Sequence, residues 1–189
     1  SVSTHTAWTI WSEKQAEFWS FLPMISLDYK VDTDMKGNAI AGDMIKLGLS
    51  ASQIDYASGN GKIEGASLEV SYNEGTSWEK VNLVREGKGW TAEIRNSSKS
   101  GNFVSLRASA WDDLGNRIDQ EVIKAFGVSD SEVTLSVDKR DYNLTSGNTE
   151  QVNVTEVTTS KDGEVTEVDV TNKATYVVED ETVASVSKG

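Results

Sequence analysis

The chain has 189 residues, no cysteine and a formal net charge of −12 at pH 7. The absence of cysteine excludes disulfides, thiolate zinc sites and cysteine nucleophiles, and the acidic balance disfavours nucleic acids and anionic membranes as partners. No apolar run approaches the ~20 residues of a membrane-spanning helix, and no signal peptide is recognisable at Ser1, so an exported protein would be represented here by a mature portion.

The first 30 residues are rich in aromatic side chains. Ser12–Phe18 predicts one or two helical turns, and Pro23, the only proline, fixes an extended backbone before a strand at Met24–Val31.

Trp8, Trp11 and Trp19 form a cluster with three interpretations. The cluster is a platform on which sugars stack, a part of the core, or an apolar face that docks on a neighbouring domain. We take these three tryptophans as the candidate interaction surface.

Residues 60–128 alternate apolar and polar side chains with a period of two, which is typical of strands. Val104, Leu106, Ala108 and Ala110 share one face of such a strand. Turn signals separate the strands, at Asn60-Gly61, Glu74-Gly75, Gly87-Lys88-Gly89, Gly101-Asn102 and Gly115-Asn116. Short strands with a turn every 8–12 residues or so predict a β-sandwich.

The amino-acid composition of the chain changes near residue 128. All six tryptophans lie before that point, and the remainder is rich in Thr, Val, Glu and Asp. The polar segment Gly127–Glu132 predicts a linker between a domain at 1–128 and a second at 129–189. Five strands are predicted in the second domain, at Val133–Asp138, Glu150–Thr158, Glu164–Val170, Ala174–Val178 and Thr182–Ser187. The predicted fold class is therefore all-β, with two tandem sandwich domains.

Ser71–Trp78 has the pattern of a self-contained hairpin. Asn73 can form an Asx turn, Gly75 can take a positive φ, and Trp78 can pack over the hairpin. Similar hairpins occur in carbohydrate-active proteins, so a glycan site is the functional alternative to a structural turn.

Four residues are candidates for a calcium site, because they cluster oxygen ligands around a glycine turn. They are Asp112, Asp113, Asn116 and Asp119. The spacing of a twelve-residue calcium loop is absent, and so is its terminal bidentate Glu. The alternative is a hairpin turn capped by Asp112, with Gly115 or Asn116 in a left-handed conformation.

No catalytic or cofactor-binding set is recognisable. His5, the only histidine, lies in a Ser/Thr-rich stretch five residues from the start of the chain. A Ser-His-Asp triad needs a buried carboxylate to orient its imidazole, and no phosphate-binding glycine loop is present. We expect no enzymatic activity and no cofactor, calcium being the one metal considered.

An ordered set of segments resembles the β-sandwich that follows the catalytic domain in some secreted bacterial subtilisin-like serine proteases. The matching segments are Thr6–Ser12, Leu22–Val31, Ile45–Ser50, Val70–Trp78, Val104–Asn116 and Ile123–Val128. Ile10, Asn73 and Phe126 depart from the family pattern, which has Phe, Asp and Tyr there. The resemblance covers about residues 6–128 and implies an immunoglobulin- or fibronectin-III-like fold in which these residues build the sandwich.

Residues 132–189 resemble a bacterial immunoglobulin-like domain of group 2. The matching segments are Val133–Asp138, Leu144–Val152 and Asp180–Gly189. In that family two further strands follow, so the resemblance implies that the second domain is incomplete at its C-terminus. Its open sheet edge could accept a strand from another chain.

Together the two resemblances imply a non-catalytic accessory region of a secreted or cell-wall-associated protease, whose partner is the upstream protease domain of the same polypeptide. The alternative is a surface adhesin or an immunoglobulin-like module that binds carbohydrate or protein at the cell wall.

Overall fold

The structure, a computed structural model, describes residues 1–11 and 21–187. The helical turn predicted at Ser12–Phe18 and the candidate Trp19 lie outside these residues. The described part contains thirteen strands and no helix, which confirms the predicted all-β class. The strands are β1 Ser3–Thr9, β2 Ile25–Val31, β3 Asn38–Ile40, β4 Met44–Gln53, β5 Ile63–Ser71, β6 Glu79–Val81, β7 Val84–Glu86, β8 Gly89–Arg95, β9 Phe103–Asp112, β10 Arg117–Ser129, β11 Ser131–Val137, β12 Val154–Ser160 and β13 Val165–Asp169.

The chain divides into two compact units. The first comprises residues 1–33 and 37–130, and the second comprises Asp34–Lys36 and the residues from Ser131 onward. The first unit holds ten strands and the second holds three.

Two sheets form the first unit. The six-stranded sheet has the order β1-β10-β9-β5-β6, with β3 added in parallel beside the end of β10. The four-stranded sheet has the order β2-β4-β8-β7. Apart from β3, every neighbouring pair is antiparallel. The short, glycine-containing turns of the sequence suit such antiparallel connections.

The core lies where the two sheets face each other. Leu47 and Leu49 of β4 contribute from one sheet, and Leu68 of β5 with Val104 and Leu106 of β9 contribute from the other. All five are at most 2% exposed. Because side chains alternate between the two faces of a strand, every second residue of these segments reaches the core. Each such aliphatic side chain contributes roughly 1.5–3 kcal/mol by leaving water.

A bulge interrupts β10 between Val122 and Phe126, where the register against β9 shifts. Lys124 lies inside the bulge with a left-handed φ of 59°. Its backbone N–H donates to the hydroxyl of the buried Ser105 at 3.0 Å. The bulge therefore has a side-chain partner that replaces the lost ladder bond.

The second unit is built on the sheet β11-β12-β13. On one face Val133 and Val154 are buried, whereas Leu135 and Val168 are half exposed. Asp34 joins this unit, because its carboxylate accepts a hydrogen bond from the Val133 N–H at 3.1 Å.

The strands predicted at Ala174–Val178 and Thr182–Ser187 are absent, so that part of the prediction was wrong. The backbone hydrogen bonds in this region close local turns, such as the bond from Ala174 N–H to the Val170 carbonyl at 2.8 Å. The Asp180 carboxylate also accepts the Thr182 N–H at 3.0 Å. Such side-chain bonds to nearby backbone compete with strand pairing.

Candidate functional site

Asp112, at the end of β9, has the most heavily hydrogen-bonded carboxylate in the described part of the chain. Its Oδ1 accepts the backbone N–H groups of Leu114 at 3.0 Å and Asn116 at 2.8 Å. Its Oδ2 accepts Gly61 N–H at 2.9 Å, Gln53 Nε2 at 2.9 Å and Asn116 Nδ2 at 2.6 Å. The side chain is buried, with 3% exposure. Five N–H donors surround one carboxylate, and they stabilise its charged form.

Asn116 extends this network to two more segments. Its side chain is fully buried, its Nδ2 also donates to the Gly59 carbonyl at 2.8 Å, and its Oδ1 accepts the Trp11 N–H at 2.9 Å. The β9–β10 turn is thereby tied to the loop before β5 and to the segment after β1.

The pKa of Asp112 reflects two opposing effects. Burial alone would raise the pKa of this carboxyl, but the hydrogen bonds from Asn116, Gly61 and Leu114 outweigh burial, so the pKa lies below its usual range. The carboxylate is therefore ionised at neutral pH and acts as an acceptor.

The four calcium candidates do not all come together. Asp113 lies beside Asp112 and accepts the Lys62 N–H at 2.7 Å. Asp119 instead lies on β10, where its carboxylate accepts from the Ser109 hydroxyl and from Arg117 Nε at 2.9 Å. Among residues 1–11 and 21–187 no group of three or more His, Asp or Glu could hold a metal ion. The predicted Asx cap at Asp112 is present, and Gly115 takes a left-handed φ of 89°.

The hairpin Ser71–Trp78 is held by its own side chains. The Ser71 hydroxyl donates to Asn73 Oδ1 at 2.9 Å and accepts the Gly75 N–H at 2.9 Å. Asn73 also accepts the Ser77 N–H at 2.9 Å and donates to the Ser77 hydroxyl at 2.8 Å. Gly75 has the predicted positive φ, and Glu74 precedes it with a φ of 55°.

Trp78 closes this hairpin and also contacts the sheet. A Cβ built on Gly75 would lie 3.4 Å from Trp78 Cζ2, so the ring covers the glycine as predicted. The Arg107 guanidinium lies 4.6 Å from the Trp78 ring centroid and pairs with Glu69 at 2.7 Å. The hydrogen bond from Arg107 lowers the pKa of Glu69. No local sequence pattern indicates this triplet, because the pairing of Glu69 with Arg107 depends on the β5–β9 register.

A second arginine–tryptophan pair lies on the same sheet. The Arg117 guanidinium is 5.3 Å from the Trp111 ring centroid, and the two residues are opposite each other in register. On the other neighbouring strand Gly65 is the partner of Trp111, and a Cβ there would be 2.6 Å from the ring. Trp111 therefore needs glycine at position 65 in order to lie on the sheet.

The two described tryptophans of the candidate interaction surface are not core residues. Trp8 is 44% and Trp11 is 54% exposed. The Trp8 indole N–H donates to the Ile25 carbonyl at 2.8 Å, which links β1 of one sheet to β2 of the other. This geometry disfavours the core interpretation for Trp8 and Trp11 and leaves stacking and docking as alternatives.

His5 lies exposed on β1, opposite Glu121 of β10. Its Nε2 lies 3.4 Å from the Ser3 hydroxyl. The arrangement thus places an exposed imidazole opposite a single, partly buried glutamate.

Two open clefts lie on the first unit. One, of about 550 Å³, is bounded by the Ser71–Trp78 hairpin and the turn before β9, and we name it the hairpin cleft; its lining residues are Tyr72, Asn73, Glu74, Thr76, Gly101, Asn102 and Phe103. The other, of about 490 Å³, lies beside the start of β5, and its lining residues are Lys62, Ile63, Glu64, Arg85, Trp90 and Asp113. In this second cleft Arg85 lies 4.5 Å from the Trp90 ring centroid.

Comparison of the chain with protein-family models, with curated proteins and with solved structures finds no match. Within the described residues, no helix has the length and apolar character needed to span a membrane.

Proposed function

We propose that the chain is a non-catalytic accessory region of an exported bacterial subtilisin-like serine protease, in which it stabilises or positions the protease domain. The ordered resemblance over about residues 6–128 supports this proposal. The observation that carries it is that polar residues of the loops form hydrogen bonds within the domain itself. Asp112, Asn116 and Asn73 are all engaged in bonds that hold turns, as in a module whose loops maintain shape.

The finer architecture in this proposal is a pair of tandem immunoglobulin-like domains, at 1–128 and 129–189, the second incomplete. The three-stranded sheet of the second unit supports this assignment, because Leu135 and Val168 leave about half of their surface exposed on its apolar face. In this proposal a strand from another chain joins an open edge of the sheet by β-augmentation and so helps to complete the domain. The proposed location is extracellular, in the medium or at the cell wall, and calcium binding by the Asp112 turn stays a prediction.

A second candidate function is that of an adhesin or a binding module for glycan or protein. The exposed rings of Trp8 and Trp11 favour it, because exposed tryptophans are characteristic of interaction surfaces. Quenching of tryptophan fluorescence by cell-wall glycans or xylan, lost when Trp8 and Trp11 are replaced by Ala, would favour this function over a purely structural one.

The accessory role predicts that the 189-residue chain alone does not cleave protein. Incubation with casein should release no peptides, and a secreted subtilisin under the same conditions is the positive control. Turnover that a serine-protease inhibitor abolishes would contradict the proposal. The reading frame upstream of Ser1 provides the direct test of the parent, since the proposal requires a subtilisin-like domain there.

A further inference from the structure

The hairpin cleft is built entirely from the first unit, at one end of the six-stranded sheet. Its volume of about 550 Å³ falls within the range of roughly 300–1,000 Å³ that small-molecule sites occupy. Phe103, the first residue of β9, supplies an aromatic ring that is 41% exposed. The cleft therefore has the volume of a small-molecule site and presents one exposed aromatic ring.

Two unusual backbone conformations meet at this cleft. Glu74 and Lys124 have φ values of 55° and 59°, and their side chains form an ion pair at 3.0 Å. A left-handed non-glycine residue costs roughly 1–3 kcal/mol and persists where the surroundings fix it, often at ligand sites. Bulges such as the one at Lys124 also re-aim side chains. Here the bulge directs the Lys124 ammonium to 5.3 Å from the Phe103 ring centroid.

Some polar groups of the cleft already form hydrogen bonds within the protein, and others do not. The Tyr72 hydroxyl donates to the Arg95 carbonyl at 2.6 Å, and Asn73 is used within the hairpin. In contrast, the Thr76 hydroxyl and the Asn102 side-chain amide make no hydrogen bond to any described residue. A bound molecule would therefore meet one aromatic ring, one free hydroxyl and one free amide.

These groups select a neutral, hydroxyl-rich ligand. The charge of Lys124 is neutralised by Glu74, and the chain carries a net charge of −12, so an anion would gain little here. We propose that the hairpin cleft binds a neutral saccharide, with an apolar face of a sugar ring against Phe103 and hydroxyl groups bonded to Asn102 and Thr76. This site is independent of the proposed accessory role and needs no protease domain.

Isothermal titration of the whole chain with neutral hexasaccharides of glucose, xylose, mannose and N-acetylglucosamine tests the site. At least one should bind, and both Phe103→Ala and Asn102→Ala should weaken binding by about tenfold or more, the loss expected for a stacking contact or a good hydrogen bond. Phe103→Tyr keeps the ring and should retain binding, which separates loss of stacking from loss of fold. Leu114→Ala, a truncation of an exposed apolar side chain in another turn, is the matched control and should bind like the unchanged protein.

Absence of heat and of any rise in melting temperature with all four sugars at millimolar concentration would overturn the proposal. Binding that survives both Phe103→Ala and Asn102→Ala would place the sugar elsewhere and overturn it as well. Preference for a polyanionic saccharide, with affinity that falls steeply with salt, would refute the assignment to a neutral ligand.

Discussion

At the scale of single residues, Asp112 shows how a polar side chain can organise a β-protein. One carboxylate fixes its own turn through Leu114 and Asn116, and binds the loop before β5 through Gly61. The sequence predicted the turn, because Asp and Gly at this spacing form Asx caps. It could not predict the bonds to Gly61 and Gln53, which come from residues more than 50 positions away.

We expect Asp112→Ala to lower the free energy of unfolding by about 3 kcal/mol or more, because buried N–H donors are left unpaired. Asp113→Ala is the matched control. The Asp113 carboxylate is exposed and accepts a backbone hydrogen bond from Lys62, so the expected loss is about 1 kcal/mol. Urea denaturation of both variants measures the difference through the midpoint at constant slope. Equal losses would show that the Asp112 network has no special role.

At the scale of elements, the period-two pattern predicted the strands of the first unit well. Val104, Leu106, Ala108 and Ala110 share a buried face of β9, as the sequence indicated. The bulge at Lys124 had no local signal, since it depends on the hydroxyl of Ser105 in the neighbouring strand. The same holds for Arg107 beneath Trp78, which meets its partners only once strand register is set.

The contact of Gly65 with Trp111 leads to a prediction about β5. Gly65→Ala places a Cβ 2.6 Å from the ring, so the indole must move away from the sheet and from Arg117. We expect a loss of about 1–3 kcal/mol, as for other overpacked positions. Gly48→Ala in β4 is the control, because its Cβ would meet only ordinary contact with Lys30 at 3.4 Å. That change should be neutral or stabilising by up to about 1 kcal/mol.

Thermal unfolding of the Gly65→Ala and Gly48→Ala variants gives the stability change, and near-ultraviolet circular dichroism reports the environment of the indole. A melting temperature that moves equally in both variants would refute the special role of the Trp111 contact. An unchanged near-ultraviolet spectrum in Gly65→Ala would refute the expected movement of the ring.

At the scale of the whole molecule, two electrostatic effects oppose each other as the pH falls. The net charge of −12 at pH 7 makes the folded chain repel itself, and this repulsion fades towards the pI of about 4.5. Several carboxyls act in the other direction, because hydrogen bonds hold their pKa values below the usual range. Asp138 is the largest case, with a pKa lowered to about 2 by bonds from Tyr142 and Asn153.

The sign of the second effect follows from linkage. A carboxyl whose pKa is lower in the folded chain stabilises it fully above the unfolded pKa, near 4, and this contribution is lost as the pH falls through the folded pKa. The pKa values of Glu69 and Asp112 are also lowered in the folded chain, so these carboxyls contribute to stability in the same way as Asp138. We therefore expect the melting temperature to rise or stay level from pH 7 to about pH 5, and to fall steeply between about pH 4 and pH 2.

Thermal scans at constant ionic strength across this range measure the profile. In Asp138→Asn the steep acid decline should be shallower, since one of the groups responsible no longer titrates. Asp141→Asn, which removes one negative charge from an exposed side chain three residues away, is the control for the change of charge alone. A melting temperature that keeps rising below pH 4 would contradict the linkage argument, because the chain is then below its pI and no further relief of charge repulsion is available.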